Sequence, residues 1–361
     1  MMKKNLLLTI AAILITSCVT VLAENKDSYN VLVLGDMHHD SRDLRVSDPG
    51  NKPEFIRNTE AWKKFIPAML DAAAARANKE CAFAIQCGDI TQGDEGSYEL
   101  SAASFTRVLE QVESRLQIPF YPVRGNHDVR GEGKRKASDD ILMTRMKKLV
   151  DFPLDSKSQV CYKVVGKDLF IFNDSEGNSL NAVREILKKN TGMRHIFFVT
   201  HLPVVPCVLS LNSYWVCFWN KPDQRQALRK LLAEHNVIVL SAHTHSTALF
   251  KWQFPEGTIT QFTSFSIASA STAVQSVQTG TEKEFFQRME DFTADKTLPA
   301  RMAKKQEYVQ QILPEYRNAK LQYSIYLRGR GYNVLRVKGD EVFMDIYPGK
   351  STKASRSVKL K

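Results

Sequence analysis

No two cysteines in this chain of 361 residues stand at CxxC spacing, which excludes a thiolate-held structural zinc. No internal repeat, low-complexity tract or interdomain linker interrupts it, so the sequence predicts one domain rather than an array. Apolar runs of the ~20 residues needed to span a membrane are missing too; the N-terminal run, Leu6 to Ile15, is too short. Aromatic residues do not interleave with the last basic residues, which weighs against stacked nucleic-acid contacts and against any specific nucleic-acid partner.

Positive charge is what the chain has in excess. The formal charge is +11, and Lys296 to Lys361 carries fifteen Lys and Arg against five Asp and Glu. A basic C-terminal region is compatible with contact to an anionic membrane surface, but the plainer expectation is a solvated face with a frayed end, Ser351 to Lys361. At the other end, Lys3 and Lys4 precede the short apolar run, small residues follow it, and Glu24 opens a polar stretch. That order predicts a signal peptide over 1–23, cut after Val21-Leu22-Ala23, and an exported protein in a periplasm or outside the cell. A second cleavage reading stays open: Ile15-Thr16-Ser17-Cys18 resembles a lipobox that would leave Cys18 lipidated. Five cysteines remain in the mature chain; export permits disulfides, and Cys207 with Cys217 either pair or pack as core thiols.

Apolar runs alternate with helical periodicity through most of the chain. Tyr29 to Leu34, Cys81 to Cys87, Ile118 to Val123, His195 to Val199 and Val237 to Leu240 read as buried strands. Glu54 to Asn78, Leu100 to Leu116, Leu180 to Lys189 and Asp223 to His235 read as helices, and Val129 to Asp140 as an exposed loop. The mostly polar stretch at about 274–330 reads as a helical insertion in a single domain, 24–361, and Tyr332 to Val337 with Glu341 to Tyr347 as a closing hairpin.

Each of the five strands ends in the same kind of chemistry: Asp36 and His38; Asp89; Asn126, His127 and Asp128; His201; His243 and His245. In a parallel sheet those ends would share one edge. Burying so many imidazoles and carboxylates without partners is costly, and a metal centre removes the cost by making them ligands. The set has no thiolate, which suits Fe, Mn, Zn or Ni without choosing among them, and it is too large for one tetrahedral ion. Two divalent metal ions sharing a carboxylate would use it.

The motifs Asp36-x-His38, Gly88-Asp89, Gly125-Asn126-His127-Asp128, His201 and Ala242-His243-x-His245 resemble, in order, those of the calcineurin-like metallophosphoesterases. The resemblance implies an α/β, four-layer fold: a β-sandwich flanked by helices. It implies Asp36, His38 and His245 on one metal, Asn126, His201 and His243 on the other, and Asp89 bridging. It implies that a hydroxide between the metals attacks phosphorus, that Asn126 and His127 contact the substrate, that His127 serves as proton donor, and that Asp128 orients His127. The substrate would be a phosphorylated small molecule, monoester or diester, or a lipid at a membrane surface; a non-catalytic scaffold of this fold is the remaining alternative. Two departures stand out: Ala242 where the family usually has Gly, and Gln92 where many members have Asp. His38 separates the chain from the purple acid phosphatases, which lack that histidine.

Overall fold

The structure is a computed structural model; it describes residues 27–46, 52–151, 160–174, 180–207, 216–268 and 274–361. The signal-peptide stretch and Cys18, as well as Tyr214 and Trp215, lie outside the described residues. No helix among the described residues is long and apolar enough to cross a membrane.

Among the described residues, fourteen strands follow in chain order: β1 (Ser28–Leu34), β2 (Cys81–Gln86), β3 (Phe120–Pro122), β4 (Cys161–Val165), β5 (Asp168–Asn173), β6 (His195–Thr200), β7 (Ile238–Ser241), β8 (Ser246–Phe254), β9 (Gly257–Thr263), β10 (Val274–Thr281), β11 (Lys320–Arg328), β12 (Gly331–Lys338), β13 (Glu341–Pro348) and β14 (Arg356–Lys359). They form two sheets, ordered β14-β13-β12-β1-β2-β3 and β10-β11-β8-β9-β7-β6-β5-β4. The strand ends that carry the polar residues are therefore split. β1 to β3 are parallel in the first sheet, and β6 and β7 are parallel in the second. The single sheet edge expected from the sequence is instead one end of a sandwich.

Side-chain alternation explains the layering. On β1, Val31 and Val33 face the core between the sheets, while Leu32 and Leu34 face the helices outside. Both faces of the strand are covered, which is why it reads as a continuous apolar run. Between the sheets lie Ile85, Phe170, Phe172, Phe197, Leu240 and Phe262. Outside the first sheet pack helices Pro53–Lys64, Ile66–Glu80 and Tyr98–Glu113, with Trp62, Ile66, Phe105 and Val108 in that core. Outside the second sheet, helices Leu180–Lys189 and Pro222–Glu234 bury Val183, Ile186, Leu228 and Leu232. At ~1.5–3 kcal/mol for each large apolar side chain fully buried, these three clusters are the main source of stability.

Several local expectations change. The helix read over Glu54 to Asn78 is two helices meeting at Phe65. Pro67 has no N–H to give the carbonyl of Lys63, so the first helix cannot run through. The stretch at about 274–330 is not purely a helical insertion: β10 and β11 at its ends extend the second sheet, and helices Glu282–Ala294 and Ala303–Ile312 lie between them. The expected frayed end is ordered, since β14 pairs with β13 and Leu360 is buried. Within the expected loop 129–140, helix Lys134–Ala137 forms, and Lys134 is buried with its ammonium 2.7 Å from Glu95. Cys81, Cys87, Cys161, Cys207 and Cys217 are all buried thiols, so Cys207 and Cys217 pack in the core and form no disulfide with each other. Phe218, from the loop after β6, is buried.

Candidate metal centre

Five loops at one end of the sandwich bring the predicted residues together. Backbone strain is concentrated here: His38, Asp89, His243 and His245 all have positive φ, at 44°, 55°, 65° and 54°. Non-glycine residues adopt this region at a cost of order 1–3 kcal/mol each, and do so where the surroundings over-determine them. The bend at His243 and His245 lets both members of an HxH pair turn toward one site, which a straight strand forbids. Glycine is needed where loops nearly touch. A Cβ on Gly88 would lie 2.6 Å from the His201 ring, and one on Gly125 would lie 2.2 Å from Asp89 Oδ1. Ala242, where the family usually has glycine, is accommodated with its methyl in the core between the sheets.

The donors fall into two groups that share Asp89. In the first, His38 Nε2 lies 3.1 Å from His245 Nε2, His245 Nε2 lies 3.6 Å from Asp36 Oδ1, and His38 Nε2 lies 3.9 Å from Asp89 Oδ2. In the second, His201 Nε2 lies 3.0 Å from Asn126 Oδ1, 3.1 Å from Asp89 Oδ2 and 3.1 Å from His243 Nδ1. His201 donates its Nδ1–H to the carbonyl of Cys87 at 2.9 Å, which turns Nε2 toward the oxygens. The backbone N–H of His243 anchors Asp36 Oδ1 at 3.2 Å.

These groups fit cations better than one another. Nearly every atom pointing inward is an acceptor. A proton on His201 Nε2 can satisfy one of them, whereas a divalent ion satisfies all. Asp36 Oδ2, a buried atom of the same set, has no protein partner. Charge points the same way. Burial opposes ionisation of Asp36, yet His245 and His201 hold its carboxyl down at about 2. Asp89 is likewise well below the usual range, because His201 and His127 outweigh burial. Burial also opposes a charge on His201, but Asp89 overrides it and raises the imidazole to about 9. Burial and His201 together lower His243 to about 3. The protein alone thus keeps two carboxylates ionised and one proton in the second group, the place a cation would take.

His127 sits at the mouth, partly exposed, with its ring edge-on to His38 at 4.6 Å between centroids. Its backbone N–H donates to Asp89 Oδ1 at 2.8 Å, and its Nδ1 lies 2.8 Å from the carbonyl of Gln92. Asp128 is not bonded to that ring. Its buried carboxylate accepts from Gly125 N–H at 2.9 Å, Thr91 N–H and Oγ1 at 3.0 Å each, and Ile90 N–H at 3.2 Å. It staples the loop after β2 to the loop after β3, and Gln92 takes the orienting part expected of Asp128. Sequence reasoning placed Arg130 in a segment, Arg130 to Lys136, that faces the site, but gave the residue no role of its own. Its Nη1 lies 3.5 Å from His127 Nε2, and it is held by Asp94 at 2.8 Å and Glu54 at 3.2 Å. Its place in a charged, Gly-containing stretch had marked it as an exposed loop residue.

Across residues 29–247 the sequence matches the family described as calcineurin-like phosphoesterase. The chain belongs to that family. Three of its His/Asp groups, Asp36 with His38 and His245, His38 with Asp89 and His127, and Asp89 with His201 and His243, bring their ligand atoms close enough to hold a metal ion. No curated protein matches it in sequence. Among solved structures, a purple acid phosphatase from yellow lupin (Lupinus luteus) seeds superposes with a TM-score of 0.54 at 11% identity, over 92% of this chain and 53% of its own. The chain thus spans about half the length of that phosphatase. GAP50, the anchor in the inner membrane complex of Plasmodium, gives 0.47 at 12% identity, over 92% of this chain and 89% of its own. At 11% identity the lupin structure speaks for the fold of this chain alone, the helix-flanked sandwich implied by its motifs.

Proposed function

We propose that this phosphoesterase is an exported enzyme that hydrolyses a phosphomonoester or phosphodiester with two divalent cations. The observation that carries the reading is the convergence on Asp89 Oδ2 of His201 Nε2 at 3.1 Å and His38 Nε2 at 3.9 Å, each with a ligand set of its own behind it. Asp36, His38, His245 and Asp89 would hold one cation; Asn126, His201, His243 and Asp89 the other. Bound there, Fe, Mn, Zn or Ni supplies Lewis acidity that lowers the pKa of water and offsets charge on phosphate oxygens.

The chain's own residues do the rest. Asn126 and His127 contact the phosphoryl group. With Nδ1–H held on the Gln92 carbonyl, the His127 imidazolium gives its Nε2 proton to the leaving oxygen and becomes the neutral Nδ1–H tautomer. Asp89 orders His127 from behind through its backbone N–H. The test is metal analysis alongside hydrolysis of bis-p-nitrophenyl phosphate and p-nitrophenyl phosphate. Purified protein should hold about two ions per chain, and Asp89→Ala should lose metal and turnover together. Full turnover after exhaustive chelation, or full metal content in Asp89→Ala, sinks the reading.

A further inference from the structure

One helix reaches three of the active-site loops with one stripe of side chains. Glu54, Asn58 and Trp62 stand four residues apart on helix Pro53–Lys64 and so share a face. Glu54 meets Arg130 at 3.2 Å, Asn58 Nδ2 donates to the side-chain carbonyl of Gln92, and Trp62 Nε1 donates to the carbonyl of Met37 at 3.0 Å. Asn58 is the telling member. It is 1% exposed on a helix that also buries Phe55, Thr59, Ala61 and Trp62, so its amide needs a polar partner inside the protein.

Gln92 lies in a turn with positive φ at Asp89, Gly93, Asp94 and Gly96, tied to the loop after β1 by the single bridge between His39 and Thr91. Its backbone N–H goes to the carbonyl of His39 at 2.9 Å, and its carbonyl receives His127 Nδ1 at 2.8 Å. That peptide must keep its orientation for the ring to present Nε2 to a leaving group. Asn58 on its side chain, His39 on its N–H and Arg130 Nη2, 3.3 Å from its carbonyl, hold that orientation together. Where many family members place an acidic side chain, this chain has an amide whose partner comes from another element.

From this we infer that Asn58 is a positioning residue for His127: acting through Gln92, it fixes the ring that protonates the leaving oxygen. The inference rests on the proposed hydrolysis and on the acid role of His127. Its consequence is selective. p-Nitrophenolate departs without a proton, whereas an alkoxide does not, so a misplaced acid penalises alkyl esters and spares aryl ones.

The experiment compares an alkyl phosphoester with its p-nitrophenyl counterpart in wild type, Asn58→Leu and His127→Ala, each with metal content measured. Asn58→Leu should retain its metal, lose ~10-fold or more in kcat on the alkyl ester, and lose less than ~3-fold on the aryl ester, a part of the ~10²–10⁴ a general acid supplies. Imidazole ¹⁵N spectra of the zinc-loaded protein should show a hydrogen-bonded Nδ1–H on His127 in wild type and a rapidly exchanging one in the variant. Asn58→Ser makes the same comparison if the leucine variant does not fold. Equal losses on both esters, or an unchanged Nδ1–H signal, overturn the inference. If His127→Ala itself leaves the alkyl-to-aryl ratio unchanged, the acid role of His127 fails instead, and if wild type hydrolyses neither ester, the proposed function fails.

Discussion

Replacing Asp128 tests the division of labour between structure and catalysis most directly. Its two oxygens are used in pairs: Oδ1 takes Thr91 N–H and Oγ1, and Oδ2 takes Gly125 N–H and Ile90 N–H. Asparagine keeps one oxygen and turns an NH₂ toward the other pair, so about two buried donors lose their acceptor. At about 1–3 kcal/mol for each unsatisfied buried group, Asp128→Asn should destabilise the metal-free protein by roughly 2–6 kcal/mol. Urea unfolding reads this as a lowered midpoint at an unchanged slope. Because the staple joins Asp89 to Asn126, metal affinity should fall as well. Once saturated with metal, the folded variant should keep the wild-type ratio of alkyl to aryl ester turnover, because its His127 ring still leans on Gln92. Unchanged stability together with a selective loss on alkyl esters would refute this reasoning and return Asp128 to the orienting role that its neighbourhood in sequence suggests.

Two further outcomes follow from single distances and charges. Gly125→Ala drives a methyl to within 2.2 Å of Asp89 Oδ1, so the variant should bind less than half the wild-type metal by elemental analysis and lose most activity; full metal content would show that the loops can move apart. Burial lowers the ammonium pKa of Lys134 from 10.5 although Glu95 opposes this. The unfolded chain therefore binds more protons than the native one between the lowered value and 10.5, so this pair adds stability as pH rises through that window and loses it as pH falls. The double variant Lys134→Met/Glu95→Gln should flatten the alkaline rise in urea midpoint, and an identical slope in both proteins would contradict the assignment.

The candidate ligands were legible because each is announced locally: an apolar run, often a small residue, then a polar cluster. Asp36, Asp89 and His201 needed no tertiary information to be singled out. The helical sandwich was legible only through the motifs, because nothing local tells whether β1 and β6 share a sheet. What escaped was set by contacts distant in sequence. Lys134 looks like solvent-facing charge until Glu95, from another loop, meets it. Gln92 stood out only as a missing acid, since a backbone carbonyl leaves no mark on a sequence. Asp128 was misassigned because adjacency to His127 suggests a partnership, while its carboxylate serves backbone donors of two loops.

The order of the first sheet has a temporal meaning. β1 lies between β2 and β12, and its register sets Ser28 opposite Lys338. Asn333 of β12 also donates to Ser264 at 2.8 Å, and Ser266, two residues on, donates to the carbonyl of Asp36 at 2.9 Å. The strand that opens the site thus has an open edge until nearly the whole chain exists, and its backing loop lacks a support. Closing a loop of about 300 residues is a slow, late step. The loop that carries Asp36 is therefore completed at the end of folding, and a chain that stops short of β12 leaves the edge of β1 bare.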